Sequence, residues 1–419
     1  PIRPLGLSFF LLTTRAPMCT AAGRLFVDVT DRLASPTGRK SVLDTLGRGD
    51  PLIGDALLRI LERGDFIAPP RAQVVEPASA ASPQPPPPPA EEHVESDPGI
   101  VTELIRKGQT AIDRLKAEIA TKTGTDLFDF IRADIQRLQK SLFESLGPIK
   151  AAMEASWWLN EKIEEWLGEK NVADTLTQSV PYNVTSEMGL ALLDVADAIR
   201  PHPEVVEYLR TVESDDFLEG LHGLNGGDAA REAIQAFLDR YGMRCPGEID
   251  ITRTRWSESP STLIPLILGN VRNFAPGEAA RRSERGRLAA LAKEREILAR
   301  LRQLPDGAAR AQQTKWKIDL VRNFIGFREY PKYEMVTRYF VYKQALLREA
   351  ERLARAGAIR EKYDVYYLSF DEFRDAVRTM EVDRRVIEAR RTEYESFERL
   401  SPPRVMTSEG EIVAGSYRR

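Results

Sequence analysis

The sequence predicts a mainly α-helical fold with a few short β-strands near the N- and C-termini. From Ile100 onward, apolar residues recur at i, i+3 and i+4, the spacing of one face of an amphipathic helix. Residues 23–30 instead alternate and are rich in β-branched side chains, which is typical of a strand. Hydrophobic residues make up 42% of the 419 residues, so a substantial core is possible, and more than one domain is expected at this length.

Residues 1–67 form the predicted N-terminal part of mixed α/β structure. Besides the strand, this part contains a short amphipathic helix at residues 55–63. Residues 68–99 follow with five consecutive prolines at 85–89, a composition that cannot bury apolar surface. We therefore expect a flexible, solvated linker with polyproline II character, although such a run also fits aromatic grooves of partner proteins.

Residues 100–405 form the predicted helical body. Asn183 can cap a helix that Pro201 ends, and Pro265 should interrupt a later helix. Residues 365–368 resemble a short strand, and residues 406–419 hold a predicted C-terminal hairpin at 408–415. The predicted helices span residues 100–121, 127–146, 148–167, 184–199, 229–241, 262–273, 278–302, 308–326, 333–356, 370–380 and 384–400.

Composition and charge argue against several classes of protein. With 60 basic and 63 acidic residues the net charge is −3, so nothing favours nucleic acid as a partner. The longest apolar runs, residues 7–12 and 263–268, fall far short of the ~18–20 residues that cross a membrane. Cys19 and Cys245 lie far apart and fit a reducing compartment, so a cytoplasmic location is expected. The chain opens on Pro1, which suggests a piece of a longer polypeptide.

Histidine and glycine patterns give no sign of a metal or nucleotide site. His93, His202 and His222 have no second ligand at metal spacing and no neighbouring nucleophile. The glycine-rich turn at residues 220–227 lacks a following Gly-Lys-Ser/Thr, and Asp228 would repel a phosphate there. We expect this chain to bind no metal and no cofactor.

Residues 322–333 contain the densest charged segment of the sequence. Arg328, Glu329 and Lys332 lie among four aromatic rings, and on a helix Arg328 and Lys332 would share one face. Pro331 disfavours helical geometry at Tyr330, so we expect a bend there. Two cations beside one acid suit a negatively charged group in transfer, but a surface ladder of ion pairs on an amphipathic helix explains the same spacing.

Two further groups of residues have both a structural and a functional interpretation. The segment at 241–256 is dense in charge and can form a buried ion network, which either fixes the architecture or serves a site. The second group is apolar and lines a cavity or simply belongs to the core. The charged group is Arg244, Glu248, Asp250, Arg253 and Arg255, and the apolar group is Leu25, Val27, Val29, Pro51, Ile53, Phe143 and Met188.

Several motifs together resemble the central domain of rifampin phosphotransferases, within the broader family of pyruvate phosphate dikinase and phosphoenolpyruvate synthase. The resemblance covers nearly all of the chain outside the proline-rich segment. The core Gly-x-Arg-x-Pro-Gly-Glu at residues 242–248 is shared with the broader family, whereas the segment with Arg328, Glu329 and Lys332 points to the antibiotic branch. The matching segments read GRLFVDVTDRLASP, NVTSEMGLALLDVADAIRPHPEVVEYL, YGMRCPGEIDITRTRWSESP, RNFIGFREYPKYEMVTRYFVYKQALLREAERL and LSPPRVMTSEGEI.

The resemblance implies an enzyme of three parts. An ATP-grasp domain splits ATP, a swivelling domain carries the phosphoryl group on a histidine, and a helical domain presents rifampin as acceptor. This chain would be the rifamycin-binding domain alone and inactive by itself, with its C-terminal hairpin leading towards an absent phosphohistidine domain. ATP and Mg²⁺ are then expected on the missing ATP-grasp domain, and the two missing domains are expected partners.

The resemblance also implies roles for individual residues. Arg328 and Lys332 would neutralise the phosphoryl oxygens, and Glu329 would orient the imidazole or accept the hydroxyl proton. The apolar antibiotic pocket would contain Leu25, Val27, Pro51, Phe143, Met188 and Gly189.

Two alternative functions remain at this point. The first is the substrate domain of another phosphoenolpyruvate-synthase-like phosphotransferase, acting on a different hydroxylated or carboxylated compound. The second is a non-catalytic helical adaptor that docks through its proline-rich segment.

Overall fold

A computed structural model of the chain describes residues 1–47, 49–64 and 96–417, with the side chains of residues 141–144 left out. The fold is mainly α-helical with one two-stranded sheet in this part of the chain, which confirms the predicted fold class. In chain order the elements are α1 Pro4–Thr13, β1 Met18–Ala21, β2 Arg24–Val27, α2 Thr30–Ala34, α3 Pro36–Val42, α4 Pro51–Arg63, α5 Pro98–Ile119, α6 Gly124–Leu167, α7 Val172–Leu176, α8 Val184–Ile199, α9 Pro203–Arg210, α10 Gly227–Tyr241, α11 Ile264–Asn273, α12 Glu278–Leu301, α13 Gly307–Phe324, α14 Tyr330–Arg355, α15 Phe370–Thr379 and α16 Arg384–Glu398.

The chain divides into two compact units. The first combines Pro1–Glu91 with Leu353–Arg419, and the second is Glu92–Arg352. The predicted division at residues 67, 99 and 405 stays a prediction. Most of the predicted linker, together with His93, lies outside the described residues, and α5 already begins at Pro98.

In the first unit, β1 and β2 form an antiparallel hairpin. Cys19 pairs with Phe26 and Thr20 with Leu25. The turn at Ala22 and Gly23 has φ angles of 45° and 67°, the left-handed conformation that two-residue hairpin turns need. The strand predicted from alternation is thus confirmed over β2. Cys19 is exposed on the hairpin.

In the first unit, α15 begins with a capping box whose glutamate also contacts α16. Ser369 accepts a hydrogen bond from the backbone of Glu372, whose carboxylate accepts one from the backbone of Ser369. Arg390 on α16 reaches the same carboxylate with two bonds of 2.6 and 2.8 Å. One side chain therefore both caps α15 and joins it to α16.

Two predicted β segments near the C-terminus differ in the structure. The strand predicted at residues 365–368 is wrong, because Lys362–Tyr367 form a 3₁₀ helix. Glu361 and Asp364 make a capping box there, which satisfies the first amides of a helical turn. The predicted C-terminal hairpin is reduced to an isolated bridge between Met406 and Ile412.

In the second unit, α6 runs unbroken through Pro148, where the sequence predicted two successive helices. Its second half buries Ile149, Ala152, Leu159 and Ile163 in one core with α13. The helical stripe continues past the proline, and this burial offsets the missing amide.

A second core cluster of this unit includes residues of α8, α10 and α11. Ile199, Ile234 and Ile267 represent the three helices in this cluster. Tyr333 on α14 packs against both this cluster and the core of α6 and α13. Pro265 lies in the first turn of α11 and begins that helix rather than interrupting it, since a first-turn residue needs no amide partner.

The described residues fit neither a membrane span nor a metal-binding cluster. None of the helices seen there is long and apolar enough to span a bilayer. The same residues bring together no group of three or more histidine, cysteine, aspartate or glutamate side chains suited to a metal ion.

Candidate functional site

The charged segment at residues 322–333 lies where three helical elements meet. Helix α13 ends at Phe324, a 3₁₀ helix covers Ile325–Glu329, and α14 starts at Tyr330. Gly326 permits this change of direction, because a Cβ there would lie 2.1 Å from the carbonyl oxygen of Pro181. The expectation that Arg328 and Lys332 share the face of one α-helix is therefore wrong, since they belong to different elements. Pro331 lies in the first turn of α14, beyond the break.

Arg328 and Glu329 form an ion pair at the end of the 3₁₀ helix. Their Nη2 and Oε1 atoms are 3.2 Å apart. The other oxygen of Glu329 accepts a hydrogen bond of 3.3 Å from Thr185 in the first turn of α8. Arg328 is 57% exposed and Glu329 30% exposed. Glu329 is thus held from two sides while the guanidinium of Arg328 remains accessible.

Lys332 is held by a different carboxylate. Its Nζ atom lies 2.9 Å from Oε1 of Glu248, and the Nε atom of Arg244 donates to Oε2 of Glu248 over 2.5 Å. Glu248 is only 6% exposed, whereas Lys332 is 50% exposed. Burial by itself raises the pKa of the Glu248 carboxyl, but the hydrogen bonds from Arg244 and Lys332 outweigh it and leave that pKa below its usual range.

The loop that carries Arg244 and Glu248 is a compact turn. Arg244 accepts a backbone bond of 3.0 Å from Trp256, and Gly247 has a φ of 74°, which favours glycine. Arg255 is completely buried and donates to the carbonyl of Asp250 over 3.1 Å. The segment does bury most of its charged residues, but the predicted single network divides into two ion pairs, Arg244 with Glu248 and the half-exposed Arg253 with Asp250.

The three predicted catalytic residues therefore belong to two ion pairs. One pair joins Arg328 to Glu329, and the other joins Lys332 to Glu248. Thr185 and the Arg244–Glu248 pairing were not predicted as parts of this site. The cap at Asn183 places Thr185 in a first helical turn, but nothing in the sequence shows that this turn faces Glu329.

The residues predicted for the apolar pocket belong to both units. Leu25 and Val27 line a cavity of about 550 Å³ in the first unit, together with Val29, Ile53 and Val405. Val405 was not predicted for this cavity, because its approach to the hairpin is not visible in the local sequence.

The other predicted pocket residues lie elsewhere. Pro51 is exposed in the first turn of α4. In the second unit, Met188 packs against the core of α8, α10 and α11, and Gly189 lines a groove of about 840 Å³. Phe143 lies on α6, and its side chain is outside the described part of the chain.

Two grooves of the second unit are lined in part by the end residues of the charged segment, Arg322 and Tyr333. Asn183, Gly189 and Arg322 line the groove of about 840 Å³. Tyr333 and Arg240 line another of about 630 Å³. Neither lining includes Arg328, Glu329 or Lys332. The Arg328 guanidinium and the Lys332 ammonium are thus at least half-exposed surface groups outside the lining of either groove.

Comparison with known proteins gives the family to which this mainly helical chain is similar. The family model described as "Rifampicin phosphotransferase fourth domain" matches residues 144–329. Proteins called rifampicin phosphotransferase are similar over the whole chain, with 58% identity in Bacillus subtilis strain 168, 56% in Streptomyces sviceus and 54% in Bacillus cereus.

The chain belongs to the rifampicin phosphotransferase family. It spans about half the length of the curated relatives it matches, since the aligned part covers 48% of each. The family model ends at residue 329, so it includes Glu248, Arg328 and Glu329 but not Lys332. The family resemblance read from the sequence motifs is confirmed.

Proposed function

We propose that this chain is the rifamycin-binding domain of a dikinase-type phosphotransferase. A phosphohistidine on another domain would give its phosphoryl group to a hydroxyl of rifampin held by this chain. ATP and Mg²⁺ would bind to an ATP-grasp domain elsewhere, and the reaction would take place in the cytoplasm. Family membership supports the class of reaction, and the two ion pairs support the assignment of residues.

The observation that carries the residue assignment is that Arg328 and Lys332 combine exposure with restraint. Each is at least half exposed, and each is fixed by a carboxylate within 3.2 Å. A transferring phosphoryl group spreads negative charge over its oxygens, and accessible, pre-positioned cations stabilise that charge. Arg328 offers a planar fork of donors and Lys332 a point charge, so the two contact the phosphoryl group differently.

Glu329 is proposed to serve the acceptor hydroxyl. Its carboxylate is held by Arg328 and Thr185 but remains partly exposed, so it can accept a further hydrogen bond. In the transfer, the nitrogen–phosphorus bond breaks as the oxygen–phosphorus bond forms. The hydroxyl proton would pass to Glu329, or Glu329 would orient the imidazole that takes it.

The cavity lined by Leu25 and Val27 is proposed to take an apolar part of the antibiotic. Its volume of about 550 Å³ and its aliphatic walls fit the usual character of a small-molecule site. Pro51, Phe143, Met188 and Gly189 stay predictions for the same ligand. With Leu25 and Val27, they are the residues that the family resemblance implies for the antibiotic pocket.

The first test replaces Arg328 with alanine in the full-length protein. We expect rifampin phosphorylation to fall at least ~100-fold, because a donor that stabilises charge in the transition state is lost. Rifampin affinity measured by calorimetry should change little. Arg295→Ala removes another exposed arginine of the same unit and is the matched control.

Each failure of this test has a separate meaning. Near-normal turnover of Arg328→Ala would refute the assigned role of that residue. Absence of rifampin binding by the unsubstituted protein would instead refute the substrate and favour another dikinase-type acceptor.

A further inference from the structure

We propose that Glu248 is a positioning residue that fixes the Lys332 ammonium for phosphoryl transfer, with Arg244 fixing Glu248 in turn. This inference rests on the proposed function. It extends the site to a loop that lies more than one helix earlier in the chain.

The Glu248 carboxylate divides its oxygens between two cations. Oε1 contacts the ammonium of Lys332 at 2.9 Å, and Oε2 accepts from Nε of Arg244 at 2.5 Å. Neither cation competes with the other for the same oxygen. The carboxylate is thus oriented by Arg244 and presents a defined acceptor to Lys332.

Arg244, Glu248 and Lys332 are buried to different extents. Arg244 and Glu248 are almost completely buried, whereas Lys332 is half exposed. A lysine ammonium has three donors, and the bond to Glu248 uses one of them. A flexible lysine is therefore anchored at its buried side, while its remaining donors are available to an anion arriving from solvent.

The loop itself gives the anchor little freedom. Ser257 donates to the carbonyl of Gly242 over 2.8 Å, close to the bond between Trp256 and Arg244. A Cβ at Gly242 would lie 2.4 Å from the carbonyl oxygen of Leu238. The backbone around Arg244 is therefore closely packed, and the position of Glu248 follows from it.

The local charge also fits this role. One carboxylate between Arg244 and Lys332 leaves an excess of positive charge, which a transferring phosphoryl group can use. Glu334, a buried glutamate of the same unit, shows the contrast, because burial raises its pKa despite a nearby arginine. At Glu248 the two hydrogen bonds prevail, so the carboxylate stays ionised and keeps its hold on Lys332.

A purely structural role for Glu248 predicts different behaviour. If the residue only stabilises its loop, its loss lowers the free energy of unfolding, and the remaining folded enzyme turns over normally. If it positions Lys332, its loss lowers kcat and leaves the KM for rifampin nearly unchanged. The effect must also vanish when Lys332 is absent, because the two residues then act as a unit.

The experiment is a double-mutant cycle in the full-length protein, with Glu248→Gln, Lys332→Ala and both together. We expect Glu248→Gln to lower kcat about 10- to 100-fold, the usual effect of losing a group that orients a functional side chain. The double variant should be no slower than Lys332→Ala. Glu284→Gln, which removes an exposed partner of Arg287, is the control.

The outcomes separate this inference from the proposed function. Normal turnover of Lys332→Ala would contradict the role of Lys332, whatever Glu248 does. A slow Lys332→Ala with a normal Glu248→Gln, or fully additive losses in the double variant, would overturn the positioning role alone. If Glu248→Gln does not fold, Glu248→Asp keeps the charge and shortens the reach. It should lower kcat only when Lys332 is present, and an unchanged kcat would overturn the inference.

Discussion

At the scale of single residues, Arg338 shows how burial changes the meaning of an ion pair. Its guanidinium contacts Asp134 at 2.8 Å and Glu334 at 3.2 Å, and all three side chains are buried. Tyr342 also donates to Asp134 over 2.5 Å. Burial raises the pKa of Glu334 although Arg338 opposes the change, so the dry surroundings prevail over the pairing.

Removal of Arg338 should destabilise the protein severely. We expect Arg338→Met to lower the free energy of unfolding by about 3–5 kcal/mol, because two buried carboxylates lose their counter-charge. The loss should be larger at pH 8 than at pH 5, since burial raises the pKa of the Glu334 carboxyl, which can take up a proton in acid. Urea unfolding at both pH values measures this, with Arg295→Met as the exposed control. A loss below about 1 kcal/mol at pH 8 would contradict it.

Sequence reasoning at this scale identified charges better than their partners. Arg328, Glu329 and Lys332 were recognisable from their density and from the family motif. Their holding groups Thr185 and Glu248 are 144 and 84 positions away from the residues they contact, Glu329 and Lys332. Such pairings depend on how α8 approaches the 3₁₀ helix and how the 241–258 loop approaches α14, which a local pattern does not encode.

At the scale of elements, the cap of α15 gives a dependence on pH. The hydrogen bond from Arg390 is the main cause that lowers the pKa of Glu372 from 4.5 to about 2. Because the folded pKa lies below the unfolded one, this contribution is complete above about pH 4.5. It is lost as the pH falls towards 2.

A substitution of Glu372 should therefore flatten the acid branch of the stability curve. We expect Glu372→Gln to lower the melting temperature at pH 7. Between pH 5 and pH 3, the melting temperature of this variant should fall by less than that of the unsubstituted protein. The effect should shrink in high salt, since the pair is partly exposed. Thermal scans across this pH range measure it, with exposed Glu395→Gln as control. Parallel acid branches for the two proteins would refute the expectation.

Helix periodicity predicted the elements well but not every boundary. The sequence divided α6 at Pro148, since proline usually ends a helix. The structure continues because the apolar stripe after Pro148 packs against α13. The strand predicted at residues 365–368 was wrong for a different, local reason. The aromatic residues there favour a strand, but the capping box of Glu361 and Asp364 stabilises a helical turn instead.

At the scale of the whole molecule, contacts between distant parts of the sequence build the first unit. Arg24 donates to the carbonyl of Leu400 over 2.5 Å, and Arg404 pairs with Asp50 at 2.7 Å. Arg63 similarly pairs with Glu411 at 2.8 Å. The sequence predicted the two ends as separate segments, because no local pattern reveals which distant partner a surface arginine will contact.

The proline-rich segment provides a test at this scale. Its composition predicts a linker, so replacing residues 69–94 with an equally long glycine–serine sequence should leave rifampin affinity unchanged. Calorimetry on the full-length protein measures this, and the unsubstituted protein is the reference. A large loss of affinity would show that the segment takes part in ligand binding. The adaptor alternative would be favoured if neither the unsubstituted protein nor the variant binds rifampin and only the variant fails to bind a protein partner.

The two cysteines make this chain suitable for labelling without any substitution. Cys19 is exposed on the hairpin, whereas Cys245 is buried, and that burial raises the pKa of its thiol. A maleimide fluorophore added to the native chain should therefore attach at Cys19. Since that residue lies on the strand paired with the one that carries Leu25 and Val27, the dye's emission would report the proposed entry of antibiotic into the neighbouring cavity.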